Sequence, residues 1–152
     1  MVQQSNIRRV LVIGAAGFLG RRIVARMPAA WDVVPASRRR RGDRWEVIDL
    51  ADPATFVGMR GFDAVVNASD SAQVSPRAAA EFCLQEGMLF VEAAHDFRRI
   101  RELLELRTTF PEPPGAVLVG MGVFPGLTNV LAREAYAHAT GADSLAVCVS
   151  VS

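Results

Sequence analysis

Val10-Leu11-Val12-Ile13-Gly14-Ala15-Ala16-Gly17-Phe18-Leu19-Gly20-Arg21-Arg22-Ile23-Val24 decides the fold. An apolar, β-branched run stops at Gly14, glycines recur at Gly17 and Gly20, and an apolar-periodic segment begins at once. That order reads as a buried parallel strand, a tight turn and the start of a helix. The helix is expected over 17–27, with Phe18, Leu19, Ile23, Val24 and Met27 facing inward and Pro28 ending it. Gly14 allows the sharp exit from the strand, Gly17 lets the backbone approach a phosphate, and Gly20 lets the helix pack closely on the sheet. The free N–H groups and positive dipole end of such a helix suit a pyrophosphate, so the turn points to a bound dinucleotide. Gly14, Ala15, Ala16, Gly17, Phe18 and Leu19 are its expected contacts. The spacing is G-x-x-G-x-x-G rather than G-x-G-x-x-G. The turn therefore needs support from the rest of the chain.

Outward from this turn, apolar runs at 32–36, 46–50, 63–68, 88–91 and 116–119 read as further strands, and 8–13 as the first. Helices are expected over 52–61, 75–86, 96–109 and 127–138. Asp52-Pro53 and Ser75-Pro76 open the first two, and Gly61 and Gly87 close them. Phe97, Ile100, Leu103, Leu104 and Arg107 mark the period of the third. The link 37–45 is shorter than the about 10–12 residues of a parallel crossover, so the helix after the second strand is expected to be one turn or missing. Strands alternating with helices give an α/β fold, a doubly wound parallel sheet of Rossmann type with strand order 3-2-1-4-5-6. Residues 1–142 form this dinucleotide-binding domain. The alternating run 145–151 reads as a strand, with 143–152 leading to an absent second domain or pairing at a sheet edge or with a partner.

In such a sheet the ligand lies over the carboxyl ends of the strands, where the strand order reverses. Loops 14–20, 37–41, 49–50, 68–71, 93–96 and 120–126 all place glycine or polar residues there. An NAD site usually has Asp or Glu at the end of the second strand. Ala36 and Ser37 stand there instead, followed by Arg38-Arg39-Arg40-Arg41. A guanidinium fork and a hydroxyl bind a 2′-phosphate, so NADP(H) is expected, with Ser37, Arg38 and Arg39 as contacts and NAD as the alternative. Asp49 is placed to accept from the adenine amino group or to cap the following turn, and Leu50 to pack on the ring. Asn67, Ala68 and Ser69 close the fourth strand beside the glycine loop, Ala68 and Ser69 through their backbone and Asn67 as a structural hydrogen bonder.

The 152 residues make about one domain, 51% apolar and 22% charged, with a net charge of +1. That balance gives no reason to expect nucleic acid as a partner. No apolar run approaches the about 20 residues of a membrane helix, and no signal peptide is evident, so a cytoplasmic setting and no membrane are expected. All 17 basic residues are arginine, which excludes a Walker lysine, a Schiff base and a Tyr-x-x-x-Lys pair. Cys83 and Cys148 read as small buried apolar residues. His95 could move protons beside the cofactor, or the His95-Asp96 loop could serve only to cap the next helix through Asp96. Tyr136 has no lysine partner, and no metal-ligand cluster is evident. The chain offers a cofactor site without a catalytic set, and its catalytic residues are unassigned.

Gly14-Ala15-Ala16-Gly17-Phe18-Leu19-Gly20 resembles the phosphate loop of extended short-chain dehydrogenases and their atypical relatives. The later half resembles the saccharopine dehydrogenase-like family. Glu81 to Glu92, with Gly87 and then Phe90-Val91-Glu92, is similar to that family's helix, glycine and "Tyr-Val-Asp" strand. Gly120-Met121-Gly122-Val123-Phe124-Pro125-Gly126-Leu127-Thr128-Asn129 is similar to its "Gly-x-x-Pro-Gly-x-x-Asn" turn. This likeness covers roughly Val10 to Ala139. It implies the NAD(P)-binding domain of an oxidoreductase whose small-molecule substrate is held by a separate domain, with a homodimer possible. Glu92 departs from the family's Asp, and its lysine chemistry has no counterpart here. The other readings are a non-enzymatic dinucleotide sensor or interaction domain, and a scaffold with no cofactor.

Overall fold

The computed structural model describes residues 7–70, 73–93, 96–123, 125–139, 141, 144 and 146. Its centre is the strand β1, Arg9–Ile13, whose residues Val10 to Ile13 are buried. Both neighbours run parallel to it: β2, Asp32–Ser37, on one side and β4, Ala64–Asn67, on the other. Outside these lie β3, Glu46–Val47, against β2, and β5, Leu89–Glu92, against β4. The strand β6, Ala116–Leu118, pairs with β5, giving the order β3-β2-β1-β4-β5-β6. The expected fold and strand order are those observed. The order reverses between β1 and β4, so a cleft opens above their carboxyl ends.

Side chains alternate across the sheet with the strand period of two. Leu11, Ile13, Val65 and Phe90 point to one face. There they meet the 3-10 helix Pro53–Met59, the helix α2 (Arg77–Gln85) and Leu103 and Leu106. Val10, Val12, Ala64 and Val66 point to the other, where α1 (Phe18–Arg26) supplies Ile23 and Val24, with Met27 just beyond its end.

Several elements differ from the sequence reading. The segment after β3 is a 3-10 helix rather than an α-helix, and β3 is two residues long rather than spanning 46–50. Asp52 still caps the segment, accepting from the Ala54 N–H at 3.1 Å. The helix expected over 96–109 breaks at Glu105 into α3, Phe97–Leu104, and α4, Leu106–Thr109. The break turns Leu106 inward beside Leu103, whereas Phe97, Leu104 and Arg107 are exposed. Phe18 and Leu19 are likewise exposed, because Gly20 occupies the inward position of the first turn of α1. The link after β2 has no helix, as its length required. The helix α5, Leu127–His138, forms where expected, yet none of its residues is buried. The terminal run 145–151, including Cys148, lies outside the described residues apart from Ala146. Among the described residues no helix is long and apolar enough to cross a membrane.

At the opposite end of the sheet one carboxylate ties β1 to β4. Asp63 Oδ2 accepts from the backbone N–H groups of Arg8 and Arg9, both at 2.8 Å. The Asp63 N–H in turn donates to the Arg9 carbonyl at 2.9 Å. The two N–H donors, aided by the nearby arginine charges, hold this carboxyl below its ordinary 3.8. Its contribution to stability is therefore complete above about 3.8 and is lost as the pH falls through the lower folded-state value. Asp63→Asn is expected to lower the urea midpoint at pH 7, with the gap to wild type closing below pH 3.8. A gap of constant size from pH 7 to pH 2.5 would contradict this role.

Candidate functional site

The cleft is built on Gly14. Its φ of +76° is open to glycine and strained for other residues, and it turns the chain sharply out of β1. The Gly17 N–H donates to the Gly14 carbonyl at 2.9 Å, closing the turn, and the Ala15 N–H ties it to the Ala36 carbonyl of β2 at 3.2 Å. A Cβ on Gly14 would stand 2.6 Å from the Ser69 nitrogen and 2.8 Å from the Ala68 carbonyl carbon. A Cβ on Gly20 would collide with the Gly14 carbonyl and the Ala15 Cα. The atoms nearest that Cβ belong to the loop folded over Gly20. Gly17 has neither problem: its φ is −76° and its Cβ would meet only the Gly14 oxygen, at 3.2 Å.

Gly17 is the N-cap of α1, and no side chain caps the first turn. The first-turn N–H groups, which have no acceptors inside the helix, remain for an anion. A cavity of about 540 Å³ opens beside them. Gly14, Ala16 and Gly17 form one edge, Ser37, Arg38, Arg39 and Arg41 a second, Ile48, Asp49 and Leu50 a third, and Ala68 and Ser69 a fourth. Ten of the residues expected at a cofactor site are thereby brought together. Ala15 is buried under the loop, and Asn67 is buried behind Ser69. Phe18 and Leu19 lie outside the lining; the Arg22 guanidinium stacks 3.5 Å from the Phe18 ring centre and donates to the Phe18 carbonyl at 3.0 Å.

Electrostatically the second edge differs from the rest. Among the described residues none of Arg38, Arg39 and Arg41 makes an ion pair, whereas Arg44 reaches Asp32 at 3.1 Å. The Ser37 hydroxyl donates to the Arg39 carbonyl, so it shapes the arginine loop and its proton is already committed. Asp49 Oδ1 accepts from the Ala51 N–H at 3.0 Å, which makes this residue a turn former as well as a cavity residue. Arg41 and Asp70, within the loops 37–41 and 68–71 expected at the strand ends, also line the cavity, as do Ile13, Gln73 and Val74, which no pattern in the sequence marks as lining.

Past the cavity, the second glycine turn packs on the end of β5. The Met121 N–H donates to the Glu92 carbonyl at 3.1 Å, and a Cβ on Gly122 would stand 2.7 Å from the Ala93 oxygen. Phe124, in this turn, and His95 lie outside the described residues. Asp96 caps α3, accepting from the Arg98 N–H at 2.9 Å. The Arg98 guanidinium and this N–H hold its carboxyl below the ordinary range. Burial pushes the Cys83 thiol up to about 12, which leaves it inert. Tyr136 is exposed on α5. Among the described residues no group of His, Cys, Asp and Glu could hold a metal ion.

The two outer glycines should separate from the middle one by experiment. Gly14→Ala is expected to cost about 3 kcal/mol or more, from a left-handed backbone and a backbone collision together. Gly17→Ala should stay within about 1 kcal/mol of wild type while impairing binding at the helix start. Thermal unfolding of both variants tests this, and equal losses would contradict it.

Residues 10–100 match the model of the NAD dependent epimerase/dehydratase family. No curated protein matches the chain. Among solved structures, a nucleoside-diphosphate sugar epimerase from Corynebacterium glutamicum aligns with a TM-score of 0.53 and 16% identity, over 90% of this chain and 39% of that one. A short-chain dehydrogenase/reductase superfamily protein from Agrobacterium tumefaciens with bound NAD aligns with a TM-score of 0.49 and 23% identity, over 57% of this chain and 32% of that one. A protein from Listeria innocua aligns with a TM-score of 0.44 and 17% identity, over 84% of this chain and 70% of that one. The chain thus spans well under half the length of the first two.

Proposed function

The chain belongs to the NAD dependent epimerase/dehydratase family, and from that premise we propose that the cleft at β1 and β4 binds a nicotinamide dinucleotide, with NADP(H) preferred over NAD(H). One observation carries the reading: a helix start with no side-chain cap and three arginines that make no ion pair among the described residues border the same cavity. The pyrophosphate fits the N–H groups after Gly17, in a loop whose close backbone packing at Gly14 and Gly20 leaves no room for a side chain. Adenosine fits between the arginine loop and Ile48, Asp49 and Leu50. No carboxylate ends β2, and Arg38 and Arg39 are placed to take a 2′-phosphate by paired, charge-assisted hydrogen bonds. When bound, the cofactor supplies hydride transfer, and this chain's residues bind and orient it.

Within this reading the domain serves an oxidoreductase whose substrate is bound elsewhere. The saccharopine dehydrogenase-like form of the proposal is favoured by Gly120 to Asn129, where the Pro125-Gly126 turn leads into α5. In this form of the proposal residues 1–142 are one domain and 143–152 lead to another. An atypical short-chain dehydrogenase relative fits the first glycine loop equally well.

Calorimetric titration with NADPH and NADH tests the cofactor assignment. NADPH is expected to bind at least about 10-fold more tightly, and Arg38→Ala with Arg39→Ala to remove most of that difference while NADH binding changes little. Tighter or equal NADH binding would overturn the NADP preference. Failure of both to bind would overturn the dinucleotide reading itself.

A further inference from the structure

Asn67 and Glu92 sit opposite each other in register at the carboxyl ends of β4 and β5, and both are fully buried. Asn67 Nδ2 donates to Glu92 Oε2 at 2.8 Å. Asn67 Oδ1 accepts twice from Ser69, from its backbone N–H at 3.2 Å and from its hydroxyl at 2.6 Å. The polarity of this chain is fixed at both ends. A backbone N–H can only donate, so the amide atom facing Ser69 is the oxygen. The amide nitrogen then faces the carboxylate oxygen, which accepts. With the amide so oriented, the Ser69 hydroxyl can bond to Oδ1 only by giving up its single hydrogen. Ser69 also lines the cavity, and what its hydroxyl has left to offer there is lone pairs.

A serine beside a glycine-rich phosphate loop would ordinarily be read as a donor to phosphate. Here a phosphate oxygen would meet another lone pair. We propose that Ser69 instead accepts a hydrogen bond from a ribose hydroxyl of the dinucleotide, with Asn67 and Glu92 as the positioning residues that commit its proton elsewhere. The inference rests on the dinucleotide reading of the cavity. Ser69 nitrogen lies 2.6 Å from where a Gly14 Cβ would stand, so the residue flanks the pyrophosphate loop directly. The groups that flank a pyrophosphate in a dinucleotide are its two riboses, whose hydroxyls are donors. The site thereby gains selectivity for a hydroxyl-bearing sugar and disfavours an anion at the same spot.

The experiment compares wild type and Ser69→Ala for binding NADPH and analogues that lack one hydroxyl each: the 2′ or 3′ position of the nicotinamide ribose, or the 3′ position of the adenosine ribose. Ser69→Ala is expected to weaken NADPH about 3- to 10-fold. Wild type should lose a similar factor with one of the analogues, and Ser69→Ala nothing further with that same analogue, which identifies the ribose. Glu92→Gln keeps an oxygen for the Asn67 amide and should preserve the discrimination. An unchanged NADPH affinity in Ser69→Ala, or an equal penalty on every analogue, would overturn the proposal while leaving dinucleotide binding intact. Loss of discrimination in a folded Glu92→Gln protein that still binds NADPH as wild type does would also overturn it. Failure of wild type to bind NADPH or NADH would instead overturn the dinucleotide reading on which it rests.

Discussion

Backbone lies directly against backbone at Gly14, and the cleft depends on that contact. Its left-handed turn puts its carbonyl over Gly20 and the space beside its Cα against Ala68 and Ser69. The contact joins the end of β1, the start of α1 and the loop after β4 into one wall. A single side chain at either glycine would push these elements apart. The free N–H groups of α1 would then no longer border the cavity. Packing and the shape of the cleft are thus set by the same missing Cβ atoms, while Gly17 has room for one.

Most of the architecture was legible because it rests on period and punctuation. The branched run before Gly14, the turn residues at Gly61 and Gly87, and the short link after β2 each have one cheap structural solution. Less was legible where the side chains that fill space are not those that mark a period. Phe18 and Leu19 look like core, yet Gly20 takes the inward position because the loop presses on it. Leu106, outside the expected period but three residues after Leu103, is buried beside it where the helix is interrupted at Glu105. The cavity lining was legible for ten residues, since strand ends at the order reversal are fixed by topology. Gln73 and Val74 were not, because nothing in a polar loop says which way it folds back.

The two ends of the sheet do different work. At the amino ends Asp63 joins β1 to β4 through backbone N–H groups, a purely structural bond. At the carboxyl ends Asn67 and Glu92 join β4 to β5, but their hydrogen bonds run on to a cavity residue. A buried polar pair costs desolvation unless every bond is made, so its orientation is rigid. That rigidity is what gives Ser69 a defined hydrogen-bonding sense. By contrast Leu127, Val130 and Leu131 of α5 stay exposed, together with Met121 and Val123 before them.

The dinucleotide is proposed to enter one cleft, at the reversal between β1 and β4. Backbone amide chemical shifts of the isotope-labelled protein, followed during titration with NADPH, test it most directly. Saturable shifts are expected at Gly14 to Leu19, Ser37 to Arg41, Asp49 to Leu50 and Ala68 to Ser69. Shifts centred instead on the opposite end of the sheet, around Asp63 and Gly87, or none at saturating cofactor, would contradict it.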